Sequence, residues 1–312
     1  MTLRIFTEPQ QGASYDQLLA FARTAEECGF GAFFRSDHYL KMGSASGLPG
    51  ATDAWVTLAG LARDTSTIRL GTLVTPVTFR HIGSFTVTAA QVDHMSDGRV
   101  EVGLGAGWYQ AEHEAYGMPF PPLGTRYDLL EDQLAILHGA WTAPPGSTFE
   151  LTGHTCSVSI EADTVRPRQR PHPPIVLGGQ GGPRSARLAA TYADEYNISF
   201  QPADAVRVVH DRVRAACESA GRDPSTLSWS TGLVVCCGET EADVARRAAV
   251  IGREVAELSE HGLAGSPAEV LEKLGQYADI GADRFYLQML DLTDLDHLRL
   301  VAEAVLPHAP GR

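Results

Sequence analysis

Gly98-Arg99-Val100-Glu101-Val102-Gly103-Leu104-Gly105-Ala106-Gly107-Trp108 is a short apolar run that leaves through alternating glycines. Residues 100–104 have the length and composition of a strand, and a polar stretch carrying Glu112 and His113 in a helical turn follows them. The same unit recurs along the chain. Apolar runs bounded by turn residues occupy 3–6, 32–34, 68–74, 100–104, 175–177, 196–198, 227–237 and 285–290, which predicts eight strands. Helical spacing fills the intervals. Tyr15, Leu18, Leu19, Ala22 and Ala25 fall on one face of the first such segment. In a later one Val206, Val209, Val213 and Ala216 form the apolar stripe, while Arg207, Asp211, Arg212 and Arg214 face water. Helix starts are marked by a hydroxyl with an acid or amide three residues on, at Ser14/Gln17, Thr125/Asp128, Thr240/Asp243 and Ser266/Glu269. Pro267 takes the favoured first helical position.

Several of the runs are apolar on both faces, as in a parallel sheet covered by helices. Eight strand–helix alternations with no break in composition predict an α/β protein: a single (β/α)8 TIM-type barrel, residues 1–312 forming one domain. An open doubly wound sheet is the competing architecture. Residues 143–174 break the rhythm with six prolines and two glycines, and short alternation around 149–160 suggests two extra strands. We read 143–174 as an insertion before the fifth strand, and expect it to cover the barrel mouth, as long loops on barrels often do.

Composition narrows the function. The 25 Lys and Arg against 38 Asp and Glu leave a net charge of -13, which argues against nucleic acid or an anionic membrane as a partner. The chain begins Met1-Thr2-Leu3-Arg4 without an apolar signal segment, and no run approaches the roughly 18 apolar residues of a membrane span. Cys28, Cys156, Cys217, Cys236 and Cys237 make an odd count without C-x-x-C spacing, so reduced thiols and a cytoplasmic location are expected.

Catalytic residues of barrels collect where strands end. After the second strand comes Arg35-Ser36-Asp37-His38-Tyr39, an acid beside a group that exchanges protons near neutral pH. A loop histidine with Asp37 capping a turn is an equally good reading. The third strand stops at Thr75-Pro76 and is followed by Arg80 and His81. After the fourth, Gly103, Gly105 and Gly107 let a ligand approach the backbone, or let strands pack closely; the final glycine of a dinucleotide fingerprint is missing. Glu112 and His113 lack a third metal ligand and are expected on a solvated face. After the fifth, Gly178-Gly179-Gln180-Gly181-Gly182-Pro183-Arg184 opens a helix and reads as a phosphate site, with Arg184 adding charge.

Together these segments carry a resemblance. Ser36-Asp37-His38-Tyr39, Arg69-Leu70-Gly71-Thr72-Leu73-Val74-Thr75-Pro76, the run 98–108 quoted above, and Pro173-Pro174-Ile175-Val176-Leu177-Gly178-Gly179 resemble the luciferase-like monooxygenase superfamily, most nearly its coenzyme F420-dependent (deazaflavin) branch. The likeness continues through Ala193-Asp194-Glu195-Tyr196-Asn197 and Gly281-Ala282-Asp283-Arg284-Phe285-Tyr286-Leu287, and so covers most of the chain.

The resemblance implies a barrel oxidoreductase that moves a hydride between coenzyme F420 and a small organic substrate. His38 would be the acid/base, oriented by Asp37. A non-prolyl cis peptide is implied within Leu73, Val74 and Thr75, backing the coenzyme ring. Gly105, Ala106, Gly107, Gly178, Gly179, Gln180, Arg184 and Asn197 would complete the coenzyme site. Arg80, Arg126 and Arg184 are the cations expected to receive its anionic tail. Two positions depart from the sugar-phosphate dehydrogenases of the branch: their catalytic glutamate aligns with Trp108 and their active-site tryptophan with Met42, which argues against glucose 6-phosphate. An FMN-dependent monooxygenase is the rival within the superfamily. A metal-dependent barrel hydrolase or lyase using His38, His81 and Asp37, and a non-enzymatic flavin binder, are the rivals outside it. A homodimer is compatible with the sequence but does not follow from it.

Overall fold

β1 (Thr2–Thr7) pairs in parallel with β2 (Ala32–Arg35) on one side and with β12 (Arg284–Met289) on the other, so the first and last strands of the chain meet. From β2 the sheet runs to β3 (Arg69–Thr72), β5 (Val100–Gly105), β8 (Ile175–Gly178), β9 (Glu195–Asn197), β10 (Ser228–Cys237) and back to β12, every pairing parallel. This is a closed eight-stranded parallel barrel, and each of its strands overlaps one of the eight apolar runs. The open doubly wound alternative is excluded. The computed structural model describes residues 1–164 and 166–309; position 165 within the insertion, and 310–312 at the C-terminus, lie outside the described residues.

Helices clothe the barrel: α1 (Tyr15–Glu27), α2 (Ala54–Asp64), α3 (Ile82–Met95), α4 (Gln110–Tyr116), α5 (Leu123–Thr142), α6 (Pro183–Tyr192), α7 (Ala203–Ser219), α8 (Glu241–Val250), α9 (Val255–His261), α10 (Pro267–Asp279) and α11 (Leu295–Ala304). Capping boxes form at Ser14, Thr240 and Ser266, where each hydroxyl accepts from the backbone N–H three residues on. The fourth expected box does not form. Pro122 stands at the start of α5, so Thr125 and Asp128 lie inside the helix, and Asp128 is used by Arg184 instead.

Two short strands escaped the sequence reading. β4 (Thr75–Pro76) continues the third barrel position after a two-residue break, and β11 (Leu263–Gly265) adds to the rim beside β10. The insertion contains the antiparallel hairpin of β6 (Thr148–Thr152) and β7 (Ser157–Glu161). Its position corrects the expectation of a cover over the mouth. Asp132 on α5 accepts from the His154 and Thr155 N–H groups, fastening the hairpin to the outside of that helix. The segment after it meets the barrel's other end, where Gln169 donates to the carbonyl of Val100 at the start of β5 and to Asp93. The insertion therefore lies along α5 and at the N-terminal ends of the strands.

Inside the barrel, charge sits below and apolar bulk above. Glu101 receives guanidiniums from Arg4 and Arg69; Glu195 receives Arg284 and the Tyr286 hydroxyl. Over this floor Phe6, Ala32, Phe34, Val176 and Tyr286 pack together, with Leu73 against them.

Candidate active site

β2 ends in Arg35, a fully buried cation that donates to the Ser36 carbonyl and to Thr52 and Thr57, pinning the turn that follows. Burial lowers its guanidinium to about 10. The next two residues then go separate ways. Asp37, wholly buried, accepts from Arg80 Nη1 at 2.5 Å and from the Thr75 hydroxyl at 2.8 Å. Arg80 also pairs with Asp53, which caps α2, so this cluster ties the exits of β2 and β4 together.

Asp37 does not orient His38. That partner is Glu112, whose two carboxylate oxygens stand 3.0 and 3.1 Å from His38 Nδ1. Glu112 also accepts from the Tyr39 N–H at 3.1 Å. With Nδ1 bound to the carboxylate, Nε2 is the nitrogen left to exchange a proton. The reading of Glu112 and His113 as solvated is thereby corrected: both are 0% exposed. His113 donates Nδ1–H to the Tyr109 carbonyl, accepts at Nε2 from the Thr78 hydroxyl, and packs between Phe79 and Phe120. It serves as a brace. A second acid escaped notice too. Glu8 follows β1 directly, and burial pushes its carboxyl upward while the nearby His38 works against that shift. An acid placed immediately after a barrel strand was the available signal.

At the exit of β3 the Leu73–Val74 peptide is cis. Leu73 turns into the barrel, and Val74 is wedged among glycines: a Cβ on Gly105 would lie 2.8 Å from a Val74 methyl, and one on Gly178 at 3.3 Å. These two glycines make room for the bulge. Gly107, at φ +79, passes close to Thr78 and Pro76, and Ala106 packs against the core. The Thr75 hydroxyl is enclosed by Asp37, Thr72 and the Trp55 indole, so it faces protein.

The exit of β8 leads through Gly178, Gly179, Gln180, Gly181 and Gly182 into α6. Gly181 donates its N–H to the Tyr196 hydroxyl, while no side chain caps α6 and a Cβ on Gly182 would meet open space. The first turn of α6 thus offers amide groups to an anion. Arg184 does not join them. It pairs with Asp128 and Glu131 on α5, and Glu131 is held down to about 2 by hydrogen bonds from Arg187 and Arg184. Asn197 is also engaged, donating to Ser230 and accepting from Ser199. The metal-hydrolase constellation does not assemble, because Asp37 is held by Arg80, His38 by Glu112, and His81 caps α3. Among the described residues no group of three or more His, Cys, Asp or Glu is placed to hold a metal ion, and no helix is long and apolar enough to cross a membrane.

Comparison with known proteins agrees with this architecture. Residues 1–262 match the family model of luciferase-like monooxygenases. An F420-dependent hydroxymycolic acid dehydrogenase of Mycobacterium tuberculosis is 30% identical over 240 residues, which is 76% of this chain and 63% of that protein. The solved structure of an F420-dependent secondary alcohol dehydrogenase with an F420–acetone adduct superposes with a TM-score of 0.82 at 17% identity, over 99% of this chain and 98% of the other. An FMN complex of the oxygenating constituent of 3,6-diketocamphane monooxygenase from Pseudomonas putida gives 0.77 at 18% identity, over 98% and 99%. The two structures share the fold, and the matched family model shows membership: the chain belongs to the luciferase-like monooxygenase family.

Proposed function

We propose that this enzyme transfers a hydride between coenzyme F420 and a small organic substrate, with His38 as the acid/base. The observation that carries the reading is the His38–Glu112 pair at the barrel mouth, a histidine held at Nδ1 by a buried carboxylate. The relative dependent on F420 supports the choice of coenzyme.

The residues present fit such a group. Val74 forms a bulge at the mouth, and the uncapped first turn of α6 suits a phosphate. Carbon in place of the flavin N5 confines the bound deazaflavin to hydride transfer. His38 Nε2 accepts the hydroxyl proton of an alcohol as its carbinol carbon is oxidised, and returns that proton in the reverse direction. Glu112 stabilises the imidazolium that forms, and keeps Nε2 aimed outward. Arg80, through Asp37, holds the segment that presents Val74.

One observation favours FMN as the alternative coenzyme. Arg80 and Arg184 are committed to carboxylates and Arg126 to the Pro121 carbonyl and the Phe120 ring, so none of the three awaits an anionic tail longer than FMN's phosphate. Titrating the apoprotein with each coenzyme separates the readings. Binding of F420 with hydride transfer to it, lost by about 10²–10⁴-fold in His38→Ala at unchanged coenzyme affinity, is the expected result. Micromolar binding of FMN without measurable binding of F420 transfers the protein to the monooxygenase reading.

A further inference from the structure

Trp108 is a large indole left 65% exposed at the exit of β5, beside a histidine that is almost buried. Its ring lies edge-on to His38 with centroids 5.8 Å apart, and stacks on Tyr109 at 5.1 Å with the planes 22° apart. Tyr109 is itself 6.1 Å from His38 and is fixed by donating its hydroxyl to the Lys41 carbonyl. Two stacked rings therefore wall one side of the proton-exchanging group. An aromatic face left open to solvent gains most from a flat or apolar partner, because its quadrupole and its area are then both used.

Charge around the wall narrows the partner further. Two acids besides the Arg80-bound Asp37 face His38: Glu112, in contact with it, and Glu8, which feels its charge. The cations of these exit loops are engaged: Arg35 with Thr52 and Thr57, Arg80 with Asp37 and Asp53, Lys41 with the Ala45 carbonyl, and Arg253 with Glu257. A phosphate or carboxylate close to the reacting carbon would meet two carboxyl groups, and of these four cations only Lys41 is both exposed and without a carboxylate, its ammonium turned onto the Ala45 carbonyl.

We propose that Trp108 sets the substrate class: a neutral molecule that lays an aromatic or other flat apolar group on the indole while its reacting carbon stands at His38. The proposal rests on the reading of His38 as the proton-exchanging group, and Trp108 acts in it as a specificity residue without touching the proton.

The test compares 1-phenylethanol, 2-propanol and glucose 6-phosphate as ligands of the coenzyme-loaded protein. Calorimetry supplies binding, and steady-state rates supply KM and kcat. Trp108→Ala is expected to weaken 1-phenylethanol by about tenfold, in Kd and KM, with 2-propanol changed less than about twofold. Trp108→Phe should recover most of that loss, which separates a lost ring from a disturbed fold. An equal change for both alcohols in Trp108→Ala, a wild type that binds glucose 6-phosphate more tightly than 1-phenylethanol, or no detectable binding of 1-phenylethanol overturns the proposal. Failure of the coenzyme assignment looks different: F420 then does not bind, while the aryl preference and its dependence on Trp108 persist with the other coenzyme.

Discussion

Glu101, buried in the barrel floor, and Glu8, half-buried at the barrel mouth, are treated by the fold in opposite ways. Burial pushes each carboxyl upward. At Glu101 the guanidiniums of Arg4 and Arg69 outweigh it and hold the group below the ordinary range. At Glu8 burial wins over His38 and its glutamine neighbours, and the group stays raised. The floor is a closed circuit: Arg4 reaches toward Glu195 as well, Arg284 and Tyr286 satisfy that acid, and no proton needs to leave. At the mouth Asp37 and Asp53 are held by Arg80, but Glu112 is matched to a histidine and Glu8 is met by neutral glutamines. Charge paired on all sides builds a barrel, and charge paired on one side can exchange protons.

The largest effect should come from opening the floor. Glu101→Gln leaves Arg4 and Arg69 facing an amide, and removal of one partner from a buried pair typically costs about 3–5 kcal/mol. Urea unfolding should show that loss with the slope of the transition unchanged. A loss below about 1 kcal/mol would mean that water or rearrangement replaces the carboxylate easily, as at an exposed pair.

Next in size is the mouth pair. Glu112→Ala frees the His38 ring to turn and should lower kcat by about tenfold to hundredfold, less than loss of the imidazole itself, while coenzyme affinity stays within about threefold. Glu112→Gln, which can still accept from Nδ1–H but carries no charge, should fall between the two. If kcat is untouched and only thermal stability drops, Glu112 belongs with the floor acids.

Glu8 offers a smaller and signed test. A carboxyl raised in the folded state contributes its stability below the ordinary carboxylate range and loses it as pH rises. A glutamine there has no charge to bury. Glu8→Gln should therefore match wild type near pH 4 and gain on it toward pH 8, by about 1 kcal/mol. Glu101→Gln should show the reverse trend, its deficit shrinking as pH falls and the wild-type carboxylate is protonated. Parallel pH trends in the two variants would erase the distinction drawn between floor and mouth.

What the sequence made legible follows from the range of each signal. All eight barrel strands could be read because a strand's apolar run is a local property. The boxes at Ser14, Thr240 and Ser266 were legible because a cap satisfies its own helix. Thr125 and Asp128 have the same spacing, but Pro122 three residues earlier starts the helix first. Asp37 and His38 were found as a pair since they adjoin in sequence, yet their partners Arg80 and Glu112 lie 43 and 74 residues away. No spacing rule connects such positions. Glu112 was misread because one turn of polar residues does not say which face meets the barrel.

The insertion was misplaced for a reason that topology could have supplied. In a barrel whose strands point toward the mouth, each helix returns the chain to the opposite end. A segment that leaves the C-terminus of α5 and enters β8 must start and finish at that end, however long it is. Its hairpin nevertheless climbs the outside of α5 as far as Asp132, 2% exposed, which accepts from the Thr155 hydroxyl as well as the two backbone amides. Asp132→Ala removes the acceptor of all three hydrogen bonds and leaves the barrel mouth as it was. Amides of residues 148–161 should exchange faster, because local opening of the hairpin becomes easier. KM and kcat should stay within about twofold of wild type, the smallest catalytic effect in the set. A KM shifted more than about fivefold would mean that the hairpin reaches the substrate after all. The mouth would then extend down the outer face of the barrel, and the clean separation of working and structural ends would be lost.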